Sequence, residues 1–374
     1  MENKQLYVIG IVAVLVAASI GVFFIMSGDD NDSGSFIDAA GNEIMIPDNV
    51  ESITAASPSI ADIVCYMGYG SKIVAVSTSC THPDIPAGTP TVGGYSSPST
   101  DGISTANATV TFIDGSGNNA KAAYNTLREA GMLVVMMYGS TDTVNGIYNN
   151  VEIVGKIMKN SDYEELISDL KDEVELLRVA TENGAQTNIM ITTGLGNLAI
   201  DSSGNFSNLD AWTGAGVYAA GIDAALNSMA ASISRMNTPL SGSGWVQLDT
   251  DYISTSTGNV NTLIVLWTNK VAMPTDAAVA ALLAKMSTMP DWGNCGVIDT
   301  ENIMFIGGDV GSDLSRVTPY TVYNGLPILS LYINPGCYSM TNGGVALTFA
   351  DLPSFVDETN MATLVGYTNN KPAA

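Results

Sequence analysis

Residues 161–180, SDYEELISDLKDEVELLRVA, form the longest helical pattern in the chain. Apolar side chains recur at helical spacing from Tyr163 to Leu177, and neither glycine nor proline interrupts them. Ser161 and Glu164 have the spacing of a capping box, which predicts where the helix starts. A helix of about five turns is stiff, so the pattern predicts a rigid rod in the middle of the chain.

Short β-rich runs alternate with amphipathic stretches on both sides of this helix. The alternation predicts an α/β fold: two α/β lobes with mainly parallel sheets, joined by one long rigid helix, plus an N-terminal transmembrane helix. The predicted segments are a membrane anchor and linker at 1–35, an N-terminal lobe at 36–160, the interlobe helix at 161–182, a C-terminal lobe at 183–335 and a C-terminal extension of unknown role at 336–374. Strands are predicted at 52–56, 73–76, 110–113, 133–137, 189–191, 263–267 and 303–306, and a helix at 218–231.

Residues 6–26 are an uncharged apolar run that ends at an Asp-rich linker. About 20 such residues cross the hydrocarbon core of a bilayer as a helix. Lys4 precedes the run and aspartates follow it, which favours the amino terminus inside the cell and the bulk of the chain outside. The predicted localisation is the cell membrane, with a single-pass N-terminal anchor and an extracytoplasmic remainder. A cleaved signal peptide is the alternative interpretation.

The charge balance is strongly acidic, with a formal net charge of −24 and only 13 lysines and arginines. Such a surface repels nucleic acid and acidic lipid, so neither is expected as a partner. An acidic exterior rich in serine and threonine, carried on a single membrane anchor, is typical of an archaeal surface protein.

Catalytic and metal-binding motifs are missing from the sequence. His82 is the single histidine, and neither a GxSxG elbow nor an HExxH pair is present. Residues 114–120 resemble a dinucleotide-binding loop only loosely, and an ordinary strand-to-helix turn is the preferred interpretation. The chain is therefore predicted not to be an enzyme, and to hold neither a cofactor nor a metal.

Four cysteines are spaced too widely for a zinc ribbon. Outside the cell they could form two disulfides, for which Cys65–Cys80 and Cys295–Cys337 are the preferred pairs. Buried free thiols are the alternative.

Six segments carry a family resemblance. In the first lobe they are FIDAAGNEIMIP at 36–47, SITAASPS at 52–59, IVAVS at 73–77 and VGGYSSP at 92–98; in the second lobe they are WVQLDTD at 245–251 and SRVTP at 315–319. They resemble segments of the substrate-binding proteins that serve ABC importers of cobalamin, haem and ferric siderophores. The resemblance covers residues 36–335. It implies two α/β lobes bridged by a rigid helix, with the ligand held in the cleft between the lobes and little closure on binding.

The resemblance also implies ligand-binding residues. Tyr95 and Trp245 fall where aromatic side chains contact the corrin or its nucleotide tail in cobalamin binders; core packing at the lobe edges is the alternative interpretation. Ser79 lies in a loop near the same face, and Arg316 occupies the position of a cleft-lining arginine. Anionic siderophores need several cationic side chains, because desolvating such a charge demands compensation. Arg316 is nearly alone, so a largely neutral corrinoid is favoured over a ferric siderophore, and haem lies between.

Family members dock on their permease through one acidic residue on each lobe, and Asp101 and Asp251 stand at those positions. The expected protein is a membrane-anchored, extracytoplasmic substrate-binding protein that delivers a corrinoid, or another iron or haem chelate, to the membrane subunits of an ABC importer. One alternative is an anchored surface or adhesion protein on the same scaffold without a transport ligand. Another is an extracellular enzyme, which the residue inventory disfavours.

Overall fold

The structure is a computed structural model, and its numbering follows the printed sequence. By its internal contacts the chain divides into residues 1–36 and residues 37–374. The predicted membrane span at 6–26 lies outside the described residues, and within them no helix is both long and apolar enough to cross a bilayer. The described residues are 34–139, 143–221, 224–238, 240, 245–249, 252–254, 257–268, 271–339 and 345–368.

A four-stranded parallel sheet forms the first lobe, in the order β4-β3-β7-β8. Residues of β3, β7 and β8 are buried without exception, which explains why these strands read as short apolar runs rather than alternating ones. Parallel neighbours need crossover connections, and helices supply most of them here. The elements in chain order are β1 (Ser35–Ile37), β2 (Glu43–Met45), β3 (Ile53–Ala55), α1 (Pro58–Tyr66), β4 (Ile73–Val76), β5 (Gly93–Gly94), β6 (Ser97–Pro98), α2 (Thr100–Ala106), β7 (Val110–Asp114), α3 (Asn118–Glu129), β8 (Val134–Met137) and α4 (Val144–Met158).

The turn between β1 and β2 is fastened to this lobe by the buried carboxylate of Asp38. It accepts hydrogen bonds from the backbone N–H groups of Ala40 and Asn42 within the turn, each at 3.0 Å. It also accepts from the Tyr124 hydroxyl of α3 at 2.5 Å and from the Met136 N–H of β8 at 2.9 Å. Four donors satisfy one buried acid, so Asp38 stabilises the predicted hairpin segment against the lobe.

The second lobe contains a larger mixed sheet in the order β12-β10-β9-β13-β14-β15, with β11 also pairing β9. Strands β9, β13, β14 and β15 run parallel, whereas β10 at one edge pairs antiparallel with both β9 and β12. The elements are α5 (Tyr163–Thr181), β9 (Thr187–Thr192), β10 (Tyr218–Ala220), α6 (Ala225–Ile233), β11 (Met236–Asn237), β12 (Trp245–Gln247), β13 (Thr262–Leu266), α7 (Asp276–Ser287), α8 (Val297–Thr300), β14 (Ile303–Ile306), α9 (Gly308–Leu314), a π-helical turn (Thr321–Gly325), α10 (Leu326–Ile333), β15 (Phe355–Val356) and α11 (Met361–Thr368).

The predicted interlobe helix is α5, which is 19 residues long. It packs against α4 on the side of the first lobe and against α6 and α10 on the side of the second. The predicted capping box is wrong: the helix begins after Asp162, which makes no side-chain capping bond, and the Ser161 hydroxyl donates to the Asp162 carboxylate at 2.7 Å. Leu170 and Leu177 are buried along it while most other positions face solvent, so a narrow apolar stripe holds a largely exposed helix.

Two described elements of the last 39 residues, β15 and α11, belong to the second lobe. Phe355 and Val356 pair in parallel with Phe305 and Ile306 of β14. Helix α11 packs against α10, and Leu364 on α11 is buried. The second lobe therefore continues past the predicted boundary at residue 335.

Candidate functional site

A buried acid lies where two strands of the first sheet end. Asp114 is the last residue of β7, and its carboxylate accepts hydrogen bonds from the Ser57 hydroxyl at 3.3 Å, from the Ser116 N–H at 2.8 Å and from the Ser116 hydroxyl. Burial raises the pKa of Asp114, and the hydrogen bonds from Ser116 and Ser57 oppose that rise. Since Ser57 follows β3, Asp114 links the carboxyl ends of the neighbouring strands β3 and β7.

Tyr95 and Ser79 occupy adjoining loops at the same edge of the sheet. Tyr95 sits at the tip of the β5–β6 hairpin and is 43% exposed. The hairpin is joined to the loop after β4 by a hydrogen bond from the Thr78 N–H to the Gly93 carbonyl at 2.9 Å, and exposed Ser79 follows directly. A side chain at Gly117 would lie 3.3 Å from the Ser96 carbonyl, so the hairpin also rests on the start of α3. The structure thus brings these two predicted ligand-binding residues together.

Trp245 begins β12, the outermost strand of the second sheet. It pairs with Ala220 of β10. Because Ala219 of β10 pairs antiparallel with Thr192, the last residue of β9, Trp245 lies near the carboxyl end of β9. Trp245 is 41% exposed, whereas Trp212, Trp267 and Trp292 are at most 2% exposed. The alternative of core packing is therefore excluded for Trp245, and for Tyr95 by the same measure.

Arg316 belongs to a contact between the lobes. Its guanidinium Nη1 lies 2.5 Å from the Asp62 Oδ2 of α1, and the two side chains are 19% and 4% exposed. Burial raises the pKa of Asp62, and the positive charge of Arg316 opposes the rise. Arg316 follows α9, the helix after β14. In the second sheet β14 is four strands away from β12. The structure therefore separates Arg316 from Trp245 along the second sheet and pairs its charge within the protein.

An aromatic cluster extends this contact. The Tyr66 and Tyr320 rings meet edge to face with their centroids 5.0 Å apart, and Tyr323 stacks on Tyr66 at 6.3 Å. The Nε2 atom of His82, the single histidine, lies 3.2 Å from the Tyr320 hydroxyl. No group of potential metal ligands occurs among the described residues. Because His82 lies in the loop after β4 and Tyr320 shortly after α9, the cluster joins the two lobes.

Asp313, near the end of α9, is a second buried acid in this contact. Its carboxylate accepts a hydrogen bond from the Asn324 Nδ2 at 3.0 Å. Burial raises the pKa of Asp313 to about 6, with the charges of Asp62 and Asp309 adding to the rise and Asn324 and Arg316 opposing it. The folded protein therefore binds this proton more tightly than the unfolded chain does.

The sign of this shift predicts a stability change. Ionising Asp313 costs folding free energy as the pH rises from about 4 to about 6, so Asp313→Asn should raise the free energy of unfolding at pH 7 by about 1–3 kcal/mol. The gain should shrink strongly near pH 4, where the aspartate is protonated in the folded state and about half protonated in the unfolded chain. Urea denaturation at the two pH values measures this. Asp351→Asn is the control of opposite sign, because hydrogen bonds from Thr348 lower the pKa of Asp351; a gain at pH 4 equal to that at pH 7 would contradict the assignment.

All four cysteines carry free thiols, in agreement with the alternative interpretation and against the two predicted disulfides. Cys65 and Cys295 are buried. Burial raises the pKa of the Cys65 thiol to about 12, with nearby carboxylates adding to the rise, so this group stays protonated and unreactive at neutral pH.

The predicted docking acids are only partly described. Asp101 is exposed in the first turn of α2, behind the N-cap Ser99, whose hydroxyl accepts a hydrogen bond from the Gly102 N–H. Asp251 lies outside the described residues. Docking through the pair stays a prediction.

Two acids at this edge were missed in the sequence. Asp62 sits inside the apolar run of α1 and Asp114 at the end of the apolar strand β7, and an acid within such a run is itself a signal of a buried, partnered carboxylate.

A groove of about 500 Å³ also opens at the ends of β7 and β8. Its lining includes Asn42, Lys121, Tyr124, Asn125 and Tyr138.

No family model and no curated protein matches the chain. Solved structures match its fold. The periplasmic heme-binding protein RhuT from Roseiflexus sp. RS-1, in apo form, superposes with a TM-score of 0.56 at 17% identity, over 76% of this chain and 98% of that chain. The vitamin B12 binding protein BtuF of Vibrio cholerae gives a TM-score of 0.55 at 14% identity, over 76% and 96%. A possible iron-binding (periplasmic solute-binding) protein from Staphylococcus epidermidis gives 0.54 at 17% identity, over 76% and 98%.

The similarity spans nearly the whole of each of these proteins and both lobes of this chain. At such low identity the similarity shows the fold alone. The resemblance drawn from the six sequence segments is confirmed at this level: the chain has the fold of the periplasmic heme-binding and vitamin B12 binding proteins of the ABC substrate-binding type.

Proposed function

We propose that the chain is an extracytoplasmic substrate-binding protein of an ABC importer, held at the membrane by residues 6–26, and that it captures a corrinoid in the cleft between its lobes. The observation that carries the proposal is the exposure of Tyr95 and Trp245 on a scaffold whose other tryptophans are buried. Exposed aromatic faces at the rim of a preformed cleft suit a large, flat macrocycle. Binding of this kind needs no covalent chemistry.

Charge supports a corrinoid over other chelates. A ferric siderophore or haem brings carboxylates or other anionic groups that must be matched when they lose water. Arg316 is already paired with Asp62 at 2.5 Å. Lys121 lines the groove at the β8 end of the first sheet on an exposed position, where water solvates its ammonium. A ligand with little negative charge therefore fits this site better than an anionic one, with haem and ferric chelates as the competing ligands.

A binding measurement tests the proposal. The full chain in lipid nanodiscs should bind cobalamin or cobinamide with a Kd below about 1 μM, and Trp245→Ala should weaken binding about tenfold, because a stacked aromatic ring contributes about 0.5–1.5 kcal/mol beyond the area it buries. Equilibrium dialysis read by the visible absorption of the ligand measures this without relying on protein fluorescence. Trp245→Phe should retain most of the affinity.

Val271→Ala is the matched control, since Val271 is 76% exposed and lies outside the predicted ligand-binding set. Binding of haemin or a ferric siderophore in place of any corrinoid would make the ligand assignment wrong and keep the transport role. Failure to bind any of them would favour the anchored surface protein without a transport ligand.

A further inference from the structure

The Asp62–Arg316 pair joins α1, the helix that follows β3, to the residues just after α9, the helix that follows β14. Electrostatic interactions link Asp62 to His82 in the loop after β4, and link Cys80 in the same loop to both members of the pair. On the other lobe Asp62 interacts with Asp309, in the first turn of the helix that follows β14. Ligands of open α/β sheets bind beyond the carboxyl ends of the strands. The pair therefore lies within electrostatic reach of residues that follow the carboxyl ends of β4 and β14, where we propose that the ligand binds.

Acids outnumber the cation at this place. Asp62 contacts the guanidinium directly, and the charges of Asp309 and Asp313 act on the same group of residues. Asp309 is exposed, whereas Asp62 and Asp313 are buried. The Arg316 side chain keeps 19% exposure, so a ligand could still reach part of it. A carboxylate arriving there would have to compete with Asp62 for the guanidinium and would face like charges nearby, and both effects disfavour it.

We propose, on the basis of the proposed function, that Asp62 is a specificity-determining residue: by holding Arg316 it denies a cationic partner to ligand carboxylates, and Asp309 reinforces the effect. The chain would then select neutral or cationic macrocycles over those with free carboxylates. Asp62 acts through Arg316 and is a positioning residue in this sense. A merely structural role would weaken the binding of all ligands alike, whereas charge selection changes their ratio.

Two probes of opposite charge character test the inference. Cobinamide has no free carboxylate and haemin has two, and both absorb visible light. The full chain in nanodiscs is dialysed against each probe, with empty nanodiscs in parallel to subtract uptake by lipid. Asp62→Asn should lower the ratio of the haemin Kd to the cobinamide Kd about tenfold, and Asp309→Asn about threefold in the same direction. Glu129→Gln, at an exposed position of α3, makes the same change in net charge and should leave the ratio at its wild-type value.

These outcomes distinguish a failure of the charge-selection inference from a failure of the proposed function. An unchanged ratio in both aspartate variants, with wild-type binding intact, overturns the inference alone. An equal shift in Glu129→Gln also overturns it, because overall charge would then be the cause. If the wild-type chain binds neither probe, the proposed function falls and the inference with it. Should Asp62→Asn fail to fold, the exposed Asp309→Asn decides the question by itself.

Discussion

Replacing Arg316 by methionine is expected to lower the free energy of unfolding by about 3 kcal/mol at pH 7, because removing one partner of a buried ion pair strands the other. Asp62 is 3% exposed, so its charge would stay in the protein interior without a cation. Taking up a proton relieves part of this cost, which places the expected loss at the lower end for such pairs. Guanidinium denaturation measures it.

Arg178→Met is the matched control. Arg178 makes two hydrogen bonds to Glu175, at 2.6 and 2.7 Å, but both groups are exposed on α5. Exposed pairs contribute little because water screens them. Replacing both members of the interlobe pair, Asp62→Leu with Arg316→Met, should recover much of the lost stability. If Arg316→Met costs no more than Arg178→Met, the pair is not buried in the way that the structure shows.

Reversing the charge of both proposed docking acids, Asp101→Lys with Asp251→Lys, is expected to abolish ligand uptake through the permease and leave the Kd for the ligand unchanged. The physical reason is charge complementarity: two acids that meet arginines on the membrane subunits would meet them with like charge instead. Each single reversal should give a partial defect in uptake whose size depends on the salt concentration, because salt screens exposed charges. Uptake into cells and equilibrium dialysis of the purified variant are measured side by side.

Glu165→Lys with Asp172→Lys controls for the change of four charge units. Both residues are exposed on α5, and their reversal should leave uptake intact. Wild-type uptake by the Asp101/Asp251 double variant would make the docking assignment wrong. A parallel loss of binding would instead place these residues at the ligand.

The fold was accessible from the sequence where local pattern and final environment agree. Helix α5 follows from apolar spacing without a breaker, and all seven predicted strands occur as β3, β4, β7, β8, β9, β13 and β14. The helix predicted at 218–231 is wrong in its first part, because Tyr218–Ala220 form the antiparallel strand β10 and α6 begins only at Ala225. Pairing with β9 and β12 overrode a local sequence that is neutral between helix and strand.

The site was accessible only in part, for a related reason. Tyr95 and Ser79 lie close together in the chain, and one hydrogen bond between their loops brings them to the same edge. The partner of Arg316 is 254 positions away in sequence. No local pattern announces a pairing over such a distance, so Arg316 looked free for a ligand when read from its motif alone.

The sequence separation of Asp62 and Arg316 also bears on the unfolding rate of the protein. A contact between positions 254 residues apart is expected to form late, after the local contacts within each lobe. Interactions absent from the folding transition state slow unfolding without speeding folding. Loss of the Asp62–Arg316 pair should therefore raise the unfolding rate, while the refolding rate of the lobes changes little. For the extracytoplasmic protein that we propose, which no cytosolic chaperone would reach, this contact would lengthen the lifetime of the folded state.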